Sequence, residues 1–409
     1  MKQLIFTLLL LTVSFSQSPK VKTGIEVLKE NGFVQLDNKT IGLITNQTGV
    51  DNKLISTVDI FYNSGKVNLK ALFAPEHGVR GTQNAGSYVK SYIDKKTQLP
   101  VYSLYGKTKE PTQEMLEGID VLVYDLQDIG SRSYTYISTL GLAMEAAAEN
   151  NIEFIVLDRP NPLGGLRVEG SLVEDGFHSF VSKYEIPYIY GLTCGELASF
   201  IKDEIYKTSG NECRLTVIKM EGWEREMLWL DTGLHWIPTS PHIPNWETAF
   251  YYSATGIVGE LNKFSNGVGY TIPFQTIAAE FINPDSLAEI LNSKEISEII
   301  FKAISYKPYY AFSKDKTVNG VQIYFEDFSS CMLTEIQFYV LEAVHELYPD
   351  KLIFEDIDKN SLSMFDKVLG SDKIRLMFQQ NYKVKDIREY WRKDVEKFKE
   401  LSKEYYLYN

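Results

Sequence analysis

Short apolar segments without polar alternation recur along the first half of the chain, and they constrain its fold more than any other feature. Strands that are apolar on both faces are typical of parallel sheets covered by helices on both sides. The sequence therefore predicts a doubly wound, Rossmann-like α/β domain with a mostly parallel sheet. The predicted strands cover residues 40–45, 69–74, 101–104, 120–124, 153–157 and 215–220. The predicted helices between them cover residues 53–62, 112–117, 134–150 and 193–205.

The chain changes character after the last of these strands. Residues 221–270 are rich in Trp, Pro, His, Asn and Gly, which is typical of rigid loops that wrap a domain or line a cleft. Beyond residue 283 we predict mixed structure, with a strand at 321–325, a helix at 334–347 and a charged amphipathic segment at 384–405. A chain of 409 residues is long enough for two domains. We predict a Rossmann-like catalytic domain over residues 19–280, a smaller α+β C-terminal domain over 281–409, and a cleft between them.

The first 18 residues have the pattern of a secretory signal peptide. Lys2 precedes an apolar run over residues 4–15, and small polar residues follow it. The run is shorter than the roughly 20 residues that a membrane-spanning helix needs. We expect these residues to be cleaved and the mature protein to be periplasmic or secreted; the alternative is a buried N-terminal strand or helix. The three cysteines are then expected to be buried thiols, unless two of them form one disulfide.

The charge balance excludes several classes of partner. The chain has 42 basic and 54 acidic residues, a net charge of −12, which argues against binding to nucleic acid or anionic lipid. No segment after the signal is apolar enough to span a bilayer. The sequence contains no glycine-rich dinucleotide motif, Walker loop, zinc-protease motif or nucleophile elbow, so we expect no cofactor and no metal. The oligomeric state is left open.

Polar residues cluster where four of the predicted strands end. Ligands bind outside the carboxyl ends of strands in an open parallel sheet. A single end of this kind is as easily explained as a helix cap, but four at one edge indicate a ligand site. The ends carry Asn46 after the first strand, then Glu76, His77 and Arg80, then Asp125, Gln127, Asp128 and Arg132, and finally Asp158, Arg159 and Asn161.

Carboxylates are the best candidates for acid–base chemistry at this edge. Glycoside hydrolysis needs a protonated carboxyl group to assist the leaving oxygen, usually with a second group as nucleophile or base. Glu76 follows an apolar strand end, where a carboxyl group stays protonated more readily, as a general acid requires. Its alternative role is a loop carboxylate paired with Arg80. The remaining carboxylate candidates are Asp125, Asp128, Asp158 and Glu169.

The segment PEHGVRG at residues 75–81 resembles the exo-β-N-acetylmuramidases (NamZ-type) of bacterial peptidoglycan recycling. This resemblance implies a Rossmann-like domain, a smaller C-terminal domain and a cleft between them. It also implies release of terminal N-acetylmuramic acid from the non-reducing end of peptidoglycan fragments, with Glu76 as the catalytic carboxylate. Further matching segments are GLITNQTGVD (42–51), VYSLYG (101–106), DLQDIGSR (125–132), YTY (134–136), LDRPNPLGG (157–165) and VEG (168–170).

We assign expected roles on this basis. Glu76 is the general acid, with Asp128 and Glu169 as further catalytic candidates that activate water or hold the substrate. Arg80, Arg132 and Arg159 are expected to form a locally positive cleft, because an arginine fork pairs well with the muramic carboxylate. Tyr134, Tyr136 and Trp246 are either stacking faces for the sugar or ordinary core residues. The substrate-binding candidates are Asn46, His77, Arg80, Asp125, Gln127, Arg132, Tyr134, Tyr136, Asp158, Arg159 and Asn161.

One block departs from the family pattern. Where many members carry Arg, Thr and Glu, this chain has Val268, Tyr270 and Gln275. The departure implies a shifted substrate preference, and it motivates the alternative of a non-catalytic protein that binds wall fragments or amino sugars. A third hypothesis is an esterase or amidase acting on other wall groups, against which the missing nucleophile elbow counts.

Overall fold

A seven-stranded, mostly parallel sheet forms the centre of the first domain. The computed structural model describes residues 21–76, 78–81 and 91–409, so the predicted signal peptide and the predicted ligand His77 lie outside the described residues. The strands are β1 (Thr40–Thr45), β2 (Asn68–Ala74), β3 (Tyr92–Ile93), β4 (Pro100–Ser103), β5 (Val121–Asp125), β6 (Glu153–Leu157) and β7 (Leu215–Ile218). Their order is β3-β4-β2-β1-β5-β6-β7, and every neighbouring pair except β3–β4 is parallel. The predicted fold class is confirmed.

Both faces of this sheet are buried, which explains the lack of polar alternation in its strands. In β5, Val121 and Val123 join one hydrophobic core, and Leu122 and Tyr124 join the other. The covering helices are α1 (Gly24–Glu30), α2 (Thr57–Asn63), α3 (Tyr136–Glu149) and α4 (Cys194–Ser209). Three-residue and four-residue 3-10 turns lie at Val34–Leu36 and Trp229–Thr232. The three cysteines are buried free thiols, as predicted.

Two predicted helices differ from the structure. The helix expected from residue 53 begins later, at Thr57, because the Asp51 carboxylate accepts from the amides of Lys53 and Ile55 and holds them in a turn. The helix predicted at 112–117 is wrong. These residues form turns that end at Gly118 in the left-handed conformation, since six residues are too few for a stable helix without further support.

The second, smaller domain is built around a three-stranded antiparallel sheet. Its strands β8 (Thr276–Ala279), β9 (Ile299–Tyr306) and β10 (Val318–Phe325) are ordered β8-β10-β9. The boundary predicted at residues 280 and 281 follows β8, so this sheet also uses chain that precedes the boundary. The helices are α5 (Glu247–Gly259), α6 (Pro284–Asn292), α7 (Ile336–Leu347), α8 (Lys359–Leu369), α9 (Lys373–Asn381), α10 (Val384–Arg392) and α11 (Val395–Ser402), followed by a 3-10 turn at Lys403–Tyr405.

Helix α5 corrects the expectation that residues 221–270 form only loops. Its sequence ETAFYYSATGIVG is apolar on nearly all sides, and most of its residues are buried. Such a helix lacks the amphipathic period by which a surface helix is recognised. Among the helices of the described chain, none has both the length and the apolar character needed to cross a membrane.

Arg132 joins the two domains through its buried guanidinium group. Nη1 donates to the carbonyls of Ser171 (2.8 Å) and Ile186 (2.6 Å), and Nη2 donates to those of Val368 (3.0 Å) and Leu369 (2.8 Å) at the end of α8. Burial lowers the pKa of Arg132 to about 10. Cations are stabilised by the free carbonyls at a helix C-terminus. Because the side chain is fully buried and its terminal nitrogens are used, the predicted role of Arg132 in binding the substrate is corrected to a structural one.

Glu169 forms a second link between the domains. Its Oε2 accepts from the amides of Leu333 (3.0 Å) and Thr334 (2.9 Å) and from the Thr334 hydroxyl (3.0 Å), just before α7. Its Oε1 accepts from Arg167 (3.0 Å). Both oxygens of this buried carboxylate are therefore used by protein donors, which argues against the predicted catalytic role.

We expect Arg132→Met to lower the free energy of unfolding by about 3–5 kcal/mol, because four buried carbonyls lose their donor. Urea denaturation of the two proteins measures the difference. Arg214→Met is the matched control, since Arg214 is exposed and bonds to the single carbonyl of Asn151. Equal stability of both variants would show that Arg132 is not the link between the domains.

Candidate active site

The structure brings the four polar strand ends to one edge of the sheet. Strands β2, β1, β5 and β6 are consecutive and parallel, so the residues that follow them leave the sheet side by side. This is the edge at which open α/β sheets bind ligands. The predicted site residues nevertheless divide into two groups, those that build the edge and those that are placed for chemistry.

Glu76 is half-buried, two residues beyond the end of β2. The Thr135 hydroxyl, directly before α3, donates to its Oε2 (3.3 Å). The Tyr105 hydroxyl, beyond β4, also forms a hydrogen bond with Glu76; burial first, and then this carboxylate, raise the pKa of Tyr105 to about 12. Three separate elements thus position one carboxyl group that a substrate can still reach. Tyr105 and Thr135 lie in segments that carry the family resemblance, but sequence reasoning did not select them.

Tyr134 and Tyr136 form a buried pair beside Glu76. Their rings meet edge to face with centroids 4.8 Å apart. The Tyr136 hydroxyl accepts from Asn46 Nδ2 (2.8 Å) and donates to the Thr239 carbonyl, and the Tyr134 hydroxyl donates to Thr239 Oγ1 (2.8 Å). Burial raises the pKa of both tyrosines well above the usual value. Because the rings are buried, these tyrosines hold the edge together and do not present stacking faces.

Residues 238–240 pack onto the strand ends, which the sequence did not predict. Gln47 Nε2 donates to the carbonyls of Pro238 (2.9 Å) and Thr239 (3.1 Å). Gly81 has φ +68°, and a β-carbon there would lie 2.7 Å from the Gln47 side chain. The last glycine of the PEHGVRG segment is therefore needed for the close approach of Gln47. The Trp- and Pro-rich composition of residues 221–270 was the available signal for this contact.

Asp128 is a buried carboxyl group with one oxygen that has no hydrogen-bond partner among the described residues. Its Oδ2 accepts from the Tyr190 hydroxyl and from the Gly130 amide (2.8 Å), whereas Oδ1 has no hydrogen-bond partner among the described residues. Burial raises the pKa of Asp128 to about 6. A carboxyl group with a pKa near the working pH is suited to proton transfer. The charge of Asp128 also contributes to the raised pKa of Tyr134, after burial as the main cause.

Glu260 is a half-buried carboxyl group whose pKa is also raised, and sequence reasoning missed it. It follows the last residue of α5, and burial alone raises its pKa to about 7. The negative charge of Glu260 contributes to the raised pKa values of Tyr188 and Tyr252. The Tyr252 ring packs against Tyr134 at a centroid distance of 5.9 Å. The only sequence signal was its position just before the block that departs from the family pattern.

The other two predicted arginines are also bound by protein groups. Arg159 forms a buried ion pair with Asp125 (2.5 Å) and donates to the Val50 carbonyl (2.9 Å). Arg80 pairs with Asp94 through two hydrogen bonds (3.1 and 3.3 Å) and keeps 32% of its side chain exposed. The expectation that these three arginines form a positively charged cleft for the substrate is therefore corrected. Buried charges are costly unless they are paired, and the strand-end arginines pair with nearby carboxylates and carbonyls.

Asp158 serves as a buried anchor. It accepts from the Thr193 hydroxyl (2.7 Å), the Gly195 amide (2.8 Å) and the Tyr408 hydroxyl (2.6 Å), and burial raises its pKa to about 6. Anions are stabilised at a helix N-terminus, here that of α4. Asp158 is not itself the N-cap of α4, which is Thr193, but it accepts from an amide in the first turn of that helix.

Two amide side chains fix the neighbouring loops in the same way. Asn161 donates to the Leu192 carbonyl (3.0 Å), and Gln127 donates to the Pro160 carbonyl (2.8 Å). Both side chains are buried, so they shape the strand-end edge from inside.

The block that departs from the family pattern borders the second sheet. Gln275 Oε1 accepts from Gln322 Nε2 (3.0 Å), which ties the residue before β8 to β10. Val268 is half-buried against the main core, and the half-buried Trp246 packs on Phe250 and Phe328.

Comparison with known proteins identifies the family. The family model described as "Exo-beta-N-acetylmuramidase NamZ, N-terminal" matches residues 41–247, and its C-terminal counterpart matches residues 250–408. The chain is similar to the peptidoglycan beta-N-acetylmuramidase NamZ of Bacillus subtilis (strain 168), with 44% identity over 96% of this chain and 92% of that protein.

Two crystal structures of DUF1343 family proteins from Bacteroides fragilis NCTC 9343 are also similar. One has 55% identity and a TM-score of 0.91, and the other has 28% identity and a TM-score of 0.74. Each comparison covers 95% of this chain and 99% of the other. The chain belongs to the NamZ exo-β-N-acetylmuramidase family, which is a family of glycosidases.

Proposed function

We propose that this enzyme hydrolyses the β-glycosidic bond of terminal N-acetylmuramic acid at the non-reducing end of peptidoglycan fragments. The proposal rests on the family description and on the activity named for the Bacillus subtilis relative. The structural observation that carries it is Glu76, a half-exposed carboxyl group held by Thr135 and Tyr105 at the ligand-binding edge of the sheet.

Glu76 acts as the general acid in this proposal. Its carboxyl group gives a proton to the glycosidic oxygen as the bond to the sugar breaks, which stabilises the leaving group. Contacts from Thr135 and Tyr105 fix its direction, and such positioning lowers the barrier when the reacting atoms are held in line. Arg80, the partly exposed arginine of the same segment, is the basic group that we assign to the acidic substituent of the sugar.

The second proton-transfer group is Asp128 or Glu260. A base must be unprotonated to activate water, and burial places the pKa of these groups at about 6 and about 7. Each residue therefore becomes an unprotonated base at a different pH, so the two assignments predict different pH dependences of the rate.

The proposal also includes export, because residues 1–18 have the pattern of a signal peptide. Peptidoglycan lies outside the cytoplasmic membrane, so an exported enzyme meets this substrate directly.

We expect Glu76→Gln to lower kcat on a disaccharide with N-acetylmuramic acid at its non-reducing end by about 10²–10⁴-fold, because a sugar leaving group needs the proton that the amide cannot donate. Mass spectrometry of the released N-acetylmuramic acid measures the rate, and thermal unfolding shows whether the variant is folded. Glu114→Gln changes an exposed glutamate and serves as the matched control. Near-full activity of a folded Glu76→Gln protein would remove Glu76 from the mechanism.

The pH dependence of kcat/KM distinguishes the two candidate bases. If Asp128 is the base, the rate rises with pH through about 6, because the carboxylate forms only above that pKa, and Asp128→Asn abolishes this limb. If Glu260 is the base, the limb lies near pH 7 and disappears in Glu260→Gln. Rates between pH 4.5 and 8.5 decide the matter. If Asp128→Asn and Glu260→Gln both keep the wild-type pH profile, neither residue is the base.

If the protein is exported, we expect its mature form to lack the first 18 residues. Expression of the full chain in a bacterium, followed by intact-mass analysis of the periplasm and medium, is expected to show this shortened species. Leu9→Arg, which interrupts the apolar run, is expected to leave the full-length chain in the cytoplasm. A full-length wild-type protein found only in the cytoplasm would contradict the proposal.

A further inference from the structure

A cluster of aromatic rings lies on the surface beside the candidate active site. It consists of Tyr270, Tyr309, Tyr310 and His242, and we call it the aromatic platform. Tyr309 is 65% exposed and Tyr310 is 50% exposed, although both rings are held in stacked arrangements. Exposed large aromatic side chains that are nevertheless fixed in place are typical of ligand contacts.

The aromatic platform rests on a buried tyrosine. Tyr306 is buried, and its hydroxyl bonds to Thr276 Oγ1 (2.7 Å) and Ser265 Oγ (2.8 Å). Tyr270 stacks on Tyr306 at a centroid distance of 4.9 Å, and Tyr309 stacks on Tyr270 at 5.6 Å, each with 28° between the ring planes. The outermost ring is therefore oriented by a column that is anchored in the second domain.

The loop that carries Tyr309 and Tyr310 is held in an unusual backbone conformation. The Tyr309 amide donates to the Gly269 carbonyl (2.8 Å), and a β-carbon at Gly269 would collide with the Tyr310 carbonyl. Ala311, Ser313 and Asp315 all have positive φ, between 58° and 64°. Non-glycine residues adopt this conformation rarely, and clusters of them are found where function requires a particular loop shape.

The platform is continuous with the residues around Glu76. His242 stacks on Tyr310 at a centroid distance of 5.9 Å, and its Nε2 lies 3.0 Å from the Tyr310 hydroxyl oxygen. His242 is two residues from Ser240, which forms a side-chain hydrogen bond with Tyr134. Two residues span at most about 7 Å, so the platform begins close to the tyrosine pair beside Glu76.

We propose that the aromatic platform binds the sugar rings of the glycan beyond the bond that is cut. This inference rests on the proposed function, because an enzyme that holds a terminal sugar must let the rest of the glycan leave the site along its surface. Tyrosine rings pack against the apolar face of a pyranose, while their hydroxyls can exchange hydrogen bonds with its hydroxyl groups. The platform thereby favours long fragments over free monosaccharide.

The test compares Tyr309→Ala, Tyr310→Ala and the double variant with the wild-type protein. The substrate is the unsubstituted tetrasaccharide of alternating muramic acid and glucosamine residues, with released N-acetylmuramic acid measured by mass spectrometry. Each substitution is expected to lower kcat/KM by about 2- to 13-fold, mainly through KM, because one aromatic contact is lost. Inhibition by free N-acetylmuramic acid is expected to stay unchanged, since the terminal sugar does not reach the platform.

Tyr206→Ala is the matched control, because Tyr206 is 62% exposed on α4 and lies outside the platform. Unchanged kinetics of the double variant on the tetrasaccharide would overturn the proposal. A loss seen only with substrates that carry stem peptides would also overturn it and assign the platform to peptide. If the wild-type protein releases no sugar from any muramic substrate, the proposed function fails, and this outcome is distinct from a failure of the platform alone.

Discussion

A buried positive charge that has no carboxylate partner among the described residues links the two domains. Arg132 instead uses four main-chain carbonyls, two from loops of the first domain and two from the end of α8. Burying such a group is costly unless its donors are paired, so the carbonyls that the two terminal nitrogens use must stay where they are, although Nε has no partner among the described residues. Asp128 is four residues before Arg132 on the same loop. The contacts of Arg132 with α8 therefore hold one end of the segment that also carries Asp128.

More charged residues lie at the strand-end edge of the sheet than the proposed reaction requires. Asp125 and Arg159 neutralise each other, Asp158 is bound to α4, and Glu169 is bound to the residues before α7. Most of the charged side chains at the strand ends are therefore bound by other protein groups. The carboxyl groups that we propose for the reaction are Glu76, which accepts from two hydroxyl groups, the buried Asp128 and the half-buried Glu260. A dense polar edge is thus mainly a rigid scaffold around a few reactive groups.

The sequence was sufficient to predict six of the seven strands of the first sheet, since β1, β5 and β6 are apolar on both faces, and to predict which strand ends meet. The short edge strand β3 was not predicted, because its two residues are exposed and carry no strand pattern. Glu76 was selected by its place after β2 and by family resemblance. The partners of the charged residues were not predictable, because Arg132 bonds to residues 236 and 237 positions away. The same limit applies to the stacking role expected for Tyr134 and Tyr136, whose burial depends on residues 238–240. Helix α5 and Glu260 escaped notice because an all-round apolar helix has no amphipathic period.

The bond between Tyr408 and Asp158 has a consequence for how the protein can be divided. A residue of the first domain's central sheet edge receives its hydrogen bond from a residue 250 positions later, after the chain has built the whole second domain. The Asn409 carbonyl also accepts from the Arg225 amide (3.0 Å). Groups from the two halves that separate family models match therefore meet inside the protein. We expect a division of the chain between these halves to remove hydrogen-bond partners from both.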